Sequence, residues 1–101
     1  DPDFNANLEA LRYDIDQLDQ EILSMISTRM DVVREIGKYK KANQVTVLKF
    51  ERWKQMMESR SMSSEELLLS SEFIERFMQL IHKEAIQHQN KIMNENGDQN
   101  S

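Results

Sequence analysis

The chain has 101 residues, 39% of them hydrophobic and 31% charged, with a formal net charge of −5 at pH 7. This length fits one small domain over residues 1–101, and the acidic balance argues against nucleic acid as a general partner. Two glycines and one proline are too few for the turns of a β sandwich or barrel. The absence of cysteine excludes a thiolate nucleophile and favours a cytoplasmic location, and no apolar run is long enough for a membrane span.

The first predicted element is one long helix over residues 6–41. Apolar side chains recur at a spacing of three or four residues, and no proline interrupts them. This apolar seam consists of Leu8, Leu11, Ile15, Leu18, Ile22, Met25, Val32, Ile36 and Tyr39. The helix would be about 54 Å long, whereas a compact domain of this size has a radius of gyration of only about 13 Å. One chain cannot cover such a seam, so the sequence predicts an intertwined homodimer.

A loop and a second helix are expected next. Residues 42–48 include three consecutive β-branched side chains, which disfavour a helix and favour extended backbone. A second helix is expected from near Lys49, and its pattern weakens within residues 59–64.

The third predicted helix covers residues 71–93. Ser70 is a good N-cap immediately before it. The side chains predicted to be buried on this helix are Phe73, Phe77, Leu80, Ile81 and Ile92. The polar tail, residues 94–101, is expected to fray. The predicted fold class is therefore all-α, with three helices of which the first is very long.

Arg29 is a cation at a heptad position of the apolar seam, where an apolar residue is expected. A guanidinium there is costly unless an anion pairs with it, and either an ion pair or a buried anion pocket would do so. Lys40 follows about 16 Å later on nearly the same face, which leaves room for a small anionic ligand. Arg12 precedes Arg29 by about 25 Å, so it can reach the same ligand only from the partner chain of an antiparallel dimer.

Other polar positions are weak signals when taken singly. Arg52 begins the second helix, where an arginine is usually a solvated surface charge. Ala85 and Gln89 lie one turn apart on an apolar stripe of the third helix, and a buried amide is most often a structural hydrogen-bonding group. His82 and His88 are six residues apart and face different directions, so we expect them at the surface and predict no metal site.

Taken together, these residues carry a resemblance to a known family. The matching positions are Leu11 and Arg12, residues 15–19, Ile22 and Leu23, Arg29, residues 36–40, Arg52 and residues 77–89. In this order and spacing the chain resembles the all-helical (AroQ-class) chorismate mutases from about residue 8 to residue 89. The resemblance implies an intertwined dimer of three-helix chains with two active sites, each of which takes one arginine from the other subunit.

The resemblance also implies a role for each site residue. Arg29, and Arg12 of the partner subunit, would hold the two carboxylates of chorismate, and Arg52 would complete the cationic wall. Lys40 and Gln89 would donate to the ether oxygen whose bond breaks. The rearrangement to prephenate needs no metal, no cofactor and no proton transfer.

Three positions depart from the family pattern. Trp53 stands where many members have an acid, Lys49 replaces the acid of the loop, and Ala85 replaces the usual serine four residues before the final glutamine. We still expect Ala85 to line the substrate site. Recognition of the substrate hydroxyl is expected from another source: a main-chain group of the loop, Glu51 or a water molecule.

Two other functions remain open at this level. An isochorismate pyruvate lyase of the same fold would use a similar cationic site, because it also breaks an ether bond in an enolpyruvyl dianion. A non-catalytic dimerisation or regulatory module is the second alternative, although leucine at position 29 would suit a plain coiled coil better than Arg29. Mutases of this class are often joined to prephenate dehydrogenase, prephenate dehydratase or 3-deoxy-D-arabino-heptulosonate-7-phosphate synthase. Residues 45–53 resemble most the domains attached to the last of these, so a fused or associated shikimate-pathway enzyme is expected.

Overall fold

The computed structural model of the chain describes residues 2–43, 55 and 64–99. The helices bounded within these residues are α1 (Phe4–Ala42), α2 (Ser64–Leu67) and α3 (Ser71–Gln99). No strand occurs in the described part of the chain. The fold is all-α with one very long N-terminal helix, as predicted. No helix among the described residues is long and apolar enough to cross a membrane.

Helix α1 has 39 residues and begins two residues before the predicted start. The backbone N–H of Asn7 donates to the Asp3 carbonyl (2.9 Å) in its first turn. At the other end, both the backbone N–H and the side-chain amide of Asn43 donate to the Tyr39 carbonyl, at 3.1 and 2.8 Å. These bonds satisfy a carbonyl that the end of the helix would leave without a partner.

The predicted second helix, from near Lys49, lies outside the described residues except for Gln55, which is helical. Helix α2, Ser64–Leu67, follows the segment where the pattern was expected to weaken. The helix ends just before Leu68, whose φ of 58° is in the left-handed region. The backbone N–H of Leu69 then donates to the Ser64 carbonyl at 3.3 Å. This is the helix ending that glycine most often provides.

Helix α3 begins at Ser71, and Ser70 is its N-cap, as predicted. The Ser70 hydroxyl accepts a hydrogen bond from the Phe73 N–H at 3.1 Å. The helix continues to Gln99, six residues beyond the predicted end at Met93 (residues 94–99). No proline interrupts these polar residues, so nothing in the sequence forces the helix to stop. Fraying of the tail stays a prediction.

The chain divides into two compact units, Asp1–Asp31 and Val32–Ser101. In the second unit the buried apolar side chains are Val33, Ile74, Met78, Ile81 and Ala85. Burial of Ile81 was predicted. Phe73 and Leu80 were also predicted to be buried, but in the single chain these side chains are 52% and 68% exposed. Phe77 and Ile92 are partly buried.

The apolar seam of α1 is largely exposed in the single chain. Leu8 is partly buried, and the other seam residues have 42–72% of their surface exposed. Within the Asp1–Asp31 unit Met30 is buried, with 4% exposed. An exposed apolar stripe this long is typical of a surface that another chain covers.

Candidate active site

Lys40 and Gln89 contact each other directly, although 49 residues separate them in the sequence. Lys40 lies in the last turn of α1, and its Nζ donates a hydrogen bond to Oε1 of Gln89 on α3 at 3.1 Å. Lys40 is partly buried, and Gln89 has only 9% of its surface exposed. The structure therefore brings together the two residues that the sequence analysis assigned to one ligand atom.

The chemistry of this pair follows from which groups can donate. A lysine ammonium has donors only, so the oxygen of the Gln89 amide faces Lys40 and the NH₂ group occupies the other branch of the amide. The ammonium carries three N–H groups and the amide carries two. Lys40 and Gln89 together can therefore offer a cationic and a neutral donor to one acceptor atom of a ligand.

Helices α1 and α3 approach each other closely at Gly37, beside this pair. A Cβ at this buried position would lie 3.5 Å from Cα and Cγ of Gln89 and from Cβ of Ile92. Just beyond the pair, Nζ of Lys41 donates to the main-chain carbonyl of Ile92 at 3.0 Å. The close approach at Gly37 and the Lys41 hydrogen bond thus hold this part of α3, which includes Gln89, against α1.

Ala85 lies one turn before Gln89 on the same buried stripe of α3, with 7% of its surface exposed. Its methyl group can contribute van der Waals contact and no hydrogen bond. The position that usually holds a serine in the resembling family therefore supplies no hydroxyl in this chain.

Arg12 and Arg29 both belong to the Asp1–Asp31 unit. Arg29 is partly buried and its Nη1 nitrogen is buried. Arg12 is 64% exposed and its Nη1 contacts Oε1 of Glu9 at 2.9 Å. Such an exposed ion pair contributes only about 0.5 kcal/mol to stability, so breaking it to bind a ligand costs little. Seventeen residues of helix separate the two arginines by about 25 Å, so they cannot share a small ligand within one chain. Arg52 lies outside the described residues.

His88, which precedes Gln89 on α3, makes contacts that the sequence did not predict. Both histidines were expected at the surface, and both are partly buried. Nδ1 of His88 lies 2.8 Å from Nη1 of Arg34 on α1, and its Nε2 lies 2.7 Å from Oε2 of Glu84. The spacing of Glu84 and His88, four residues apart on one helix, was the available sequence signal. Among the described residues, no group of three or more acids and histidines could hold a metal ion.

Comparisons with known proteins identify the family. A sequence model described as chorismate mutase type II matches residues 11–90. A T-protein of Haemophilus influenzae is 27% identical over 89 residues, which cover 88% of this chain and 24% of the relative. A bifunctional chorismate mutase/prephenate dehydratase of Buchnera aphidicola is 28% identical over 89 residues (88% and 23%), and a T-protein of Enterobacter agglomerans is 29% identical over 85 residues (84% and 23%).

The family match covers most of the chain, so the chain belongs to the chorismate mutase type II family. The resemblance noted in the sequence is thereby confirmed. The chain spans about a quarter of the length of the curated relatives it matches.

Proposed function

We propose that this chain catalyses the intramolecular rearrangement of chorismate to prephenate. The ether C–O bond of the substrate breaks while a new carbon–carbon bond forms within the same molecule, and no atom is gained or lost. The observation that carries the proposal is the Lys40–Gln89 pair, a partly buried cation bonded to a buried amide at 3.1 Å. Membership of the chorismate mutase type II family supports it independently.

Lys40 and Gln89 are the proposed catalytic residues, since negative charge grows on the ether oxygen in the transition state. A preorganised donor removed from water stabilises such a charge by several kcal/mol, and each 1.36 kcal/mol changes the rate about tenfold. In this proposal the bond from Lys40 also orients the Gln89 amide, so that its NH₂ group is ready to donate before the substrate arrives.

The proposed substrate-binding residues are arginines, because a guanidinium forms two parallel hydrogen bonds to a carboxylate. Arg29 would bind one carboxylate of chorismate and Arg52 would add positive charge near it. The buried Nη1 of Arg29 supports this role, since a partly desolvated cation attracts an anion more strongly than a solvated one. These contacts select the compact conformer of the substrate in which the reacting carbons are close.

Ala85 would line the site by contact alone. Because its methyl group offers no hydrogen bond, the substrate hydroxyl needs another partner, and a main-chain group, Glu51 or a water molecule is proposed. The rearrangement itself calls for no metal and no cofactor. The cytoplasmic location and the fused or associated shikimate-pathway enzyme stay predictions.

We propose further that two chains form an intertwined homodimer in which Arg12 of the partner subunit completes each site. The exposed apolar seam supports pairing, because its side chains are at least 42% exposed in the single chain except for Leu8. The exposure of Arg12 supports its role across the interface, since within its own chain it lies too far from Arg29 to share a ligand.

Product analysis tests the proposed activity. Purified chain is incubated separately with chorismate and with isochorismate, and the products are separated and identified. Formation of prephenate from chorismate is expected. Release of pyruvate from isochorismate without prephenate formation from chorismate would assign the lyase activity instead, and no turnover of either substrate would favour a non-catalytic module.

A further inference from the structure

Arg34, His88 and Glu84 form a hydrogen-bonded bridge between α1 and α3. Nη1 of Arg34 lies 2.8 Å from Nδ1 of His88, and Nε2 of His88 lies 2.7 Å from Oε2 of Glu84. The His88 side chain is 27% exposed and that of Glu84 is 52% exposed. The bridge therefore includes one long-range contact between helices, over 54 residues, and one contact within α3.

The bridge can hold its protons in only one way. A guanidinium has donors only, so Nδ1 of His88 must accept and cannot carry a hydrogen. The imidazole is then the tautomer with its hydrogen on Nε2, which donates to the Glu84 carboxylate. A rotated ring or the other tautomer would break both bonds, so the bridge fixes the orientation of His88 as well as its distance from α1.

His88 precedes Gln89 on α3, and the contacts between the helices follow in order along both of them. Arg34 contacts His88, a Cβ at Gly37 would meet Gln89, Lys40 bonds to Gln89, and Lys41 bonds to the Ile92 carbonyl. Consecutive residues are fixed about 100° apart around a helix, so any rotation of α3 moves His88 and Gln89 together. The Arg34 contact thus resists rotation that would carry the Gln89 amide away from Lys40.

We propose that Arg34 and His88 are positioning residues that act through Gln89 on the rearrangement. The inference rests on the proposed function, since it assigns Gln89 a role at the reacting ether oxygen. Arg34 donates a hydrogen bond to His88, and because His88 precedes Gln89 on α3, this contact restrains Gln89 as well. Glu84 fixes the tautomer of His88. Removing Arg34 then changes the reaction by loosening Gln89, while Arg34 itself touches neither substrate nor product.

A double-mutant cycle on kcat tests this role. Arg34→Met keeps an unbranched apolar stem and removes the guanidinium donors, and it should lower kcat about fivefold or more with KM within about twofold of wild type. In a Gln89→Ala background the same substitution should lower kcat less than about twofold, because the group that it positions is already absent. Arg34→Lys keeps a donor and should retain more activity than Arg34→Met.

Arg76→Met is the matched control, since Arg76 is an exposed arginine on α3 paired with Glu72 at 2.7 Å; it should leave kcat unchanged in both backgrounds. Equal losses from Arg34→Met with and without Gln89 would indicate a structural effect and overturn the inference. A wild-type chain that does not convert chorismate would contradict the proposed function and this inference together. An active wild type with equal losses contradicts the inference alone.

A spectroscopic measurement on protein that retains Arg34 covers the case in which Arg34→Met does not fold. Two-bond ¹H–¹⁵N NMR spectra distinguish the histidine tautomers, and a His82→Gln variant assigns the two rings, since the chain has two histidines. Hydrogen on Nε2 of His88, and none on Nδ1, is expected. Hydrogen on Nδ1, or averaging between the two tautomers, would overturn the bridge.

Discussion

Gln89 is buried and bonded to Lys40, so its loss should affect the reaction more than the fold. Gln89→Ala removes a neutral donor whose contribution is about 1.4 kcal/mol, which corresponds to about a tenfold lower kcat. KM should change little, because the charge on the ether oxygen is present mainly in the transition state. Steady-state kinetics with chorismate check this. A change confined to KM would mean that Gln89 contributes to substrate binding and not to stabilisation of the transition state.

Residue-level prediction from the sequence was strongest where a residue broke a pattern. Arg29 stands out because it interrupts an apolar seam, and its guanidinium is partly buried in the structure. The pairing of Lys40 with Gln89 came from resemblance to a family, since spacing within one helix says nothing about a partner 49 residues away. Arg34 and His88 were missed for the same reason: a contact between helices depends on their packing, which the local pattern does not contain.

At the scale of elements, Gly37 offers a direct test of the contact between α1 and α3. A Cβ there would meet its neighbours at 3.5 Å, which is ordinary van der Waals contact, so alanine fits. Gly37→Ala should raise the free energy of unfolding by about 0.5–1 kcal/mol through helix propensity and preserve activity. Gly37→Leu should overlap Gln89 and lower kcat. Urea denaturation and kinetics of both variants check this, and a destabilised, inactive alanine variant would contradict the described approach of the helices.

Leu68 tests the end of α2. A leucine in the left-handed region costs about 1 kcal/mol relative to glycine, and this side chain is 92% exposed, so little burial is lost on its removal. Leu68→Gly should therefore raise the melting temperature at fixed protein concentration. Leu69→Gly is the control, because Leu69 does not have a positive φ. Among the described non-glycine residues, Leu68 alone has one. A lower melting temperature for Leu68→Gly would contradict the described turn.

Which elements form was easier to predict than which of their faces is buried. The unbroken apolar spacing of α1 predicted a single helix, and Ser70 predicted the start of α3. Helix α3 carries two adjacent apolar stripes with the same spacing, and the side chains predicted to be buried came from both of them. The Phe73 ring stacks on that of Phe77 (5.8 Å between centroids) and stays half exposed in the single chain. Periodicity locates a stripe, but packing partners decide which stripe is buried.

At the scale of the whole molecule, the proposed dimer predicts complementation between inactive variants. Arg12→Ala and Arg29→Ala should each lose most activity. Random exchange of subunits makes half of the dimers mixed, and each mixed dimer has one intact and one doubly defective site, so about a quarter of wild-type activity should return. Kinetics after exchange, with dimer formation verified by sedimentation, measure the recovery.

A mixture of Arg29→Ala with Lys40→Ala is the control for complementation. Both residues are proposed to come from the same chain in each site, so every mixed dimer has two defective sites and no activity should return. Recovery in the control, or none with Arg12→Ala despite proven exchange, would place the residues on different subunits from those proposed. A stable, active monomer in sedimentation would contradict the dimer itself.

In the proposed mechanism, the Lys40 ammonium stabilises the charge that develops on the ether oxygen. The most direct measurement is kcat for prephenate formation by Lys40→Ala, beside Lys38→Ala as a control on the same helix, since Lys38 is 61% exposed and pairs with Glu35. We expect a loss of about 10²-fold or more in kcat for Lys40→Ala, a much smaller change in KM, unchanged helix content, and a near-normal Lys38→Ala. A folded Lys40→Ala variant with near-normal kcat would contradict the mechanism.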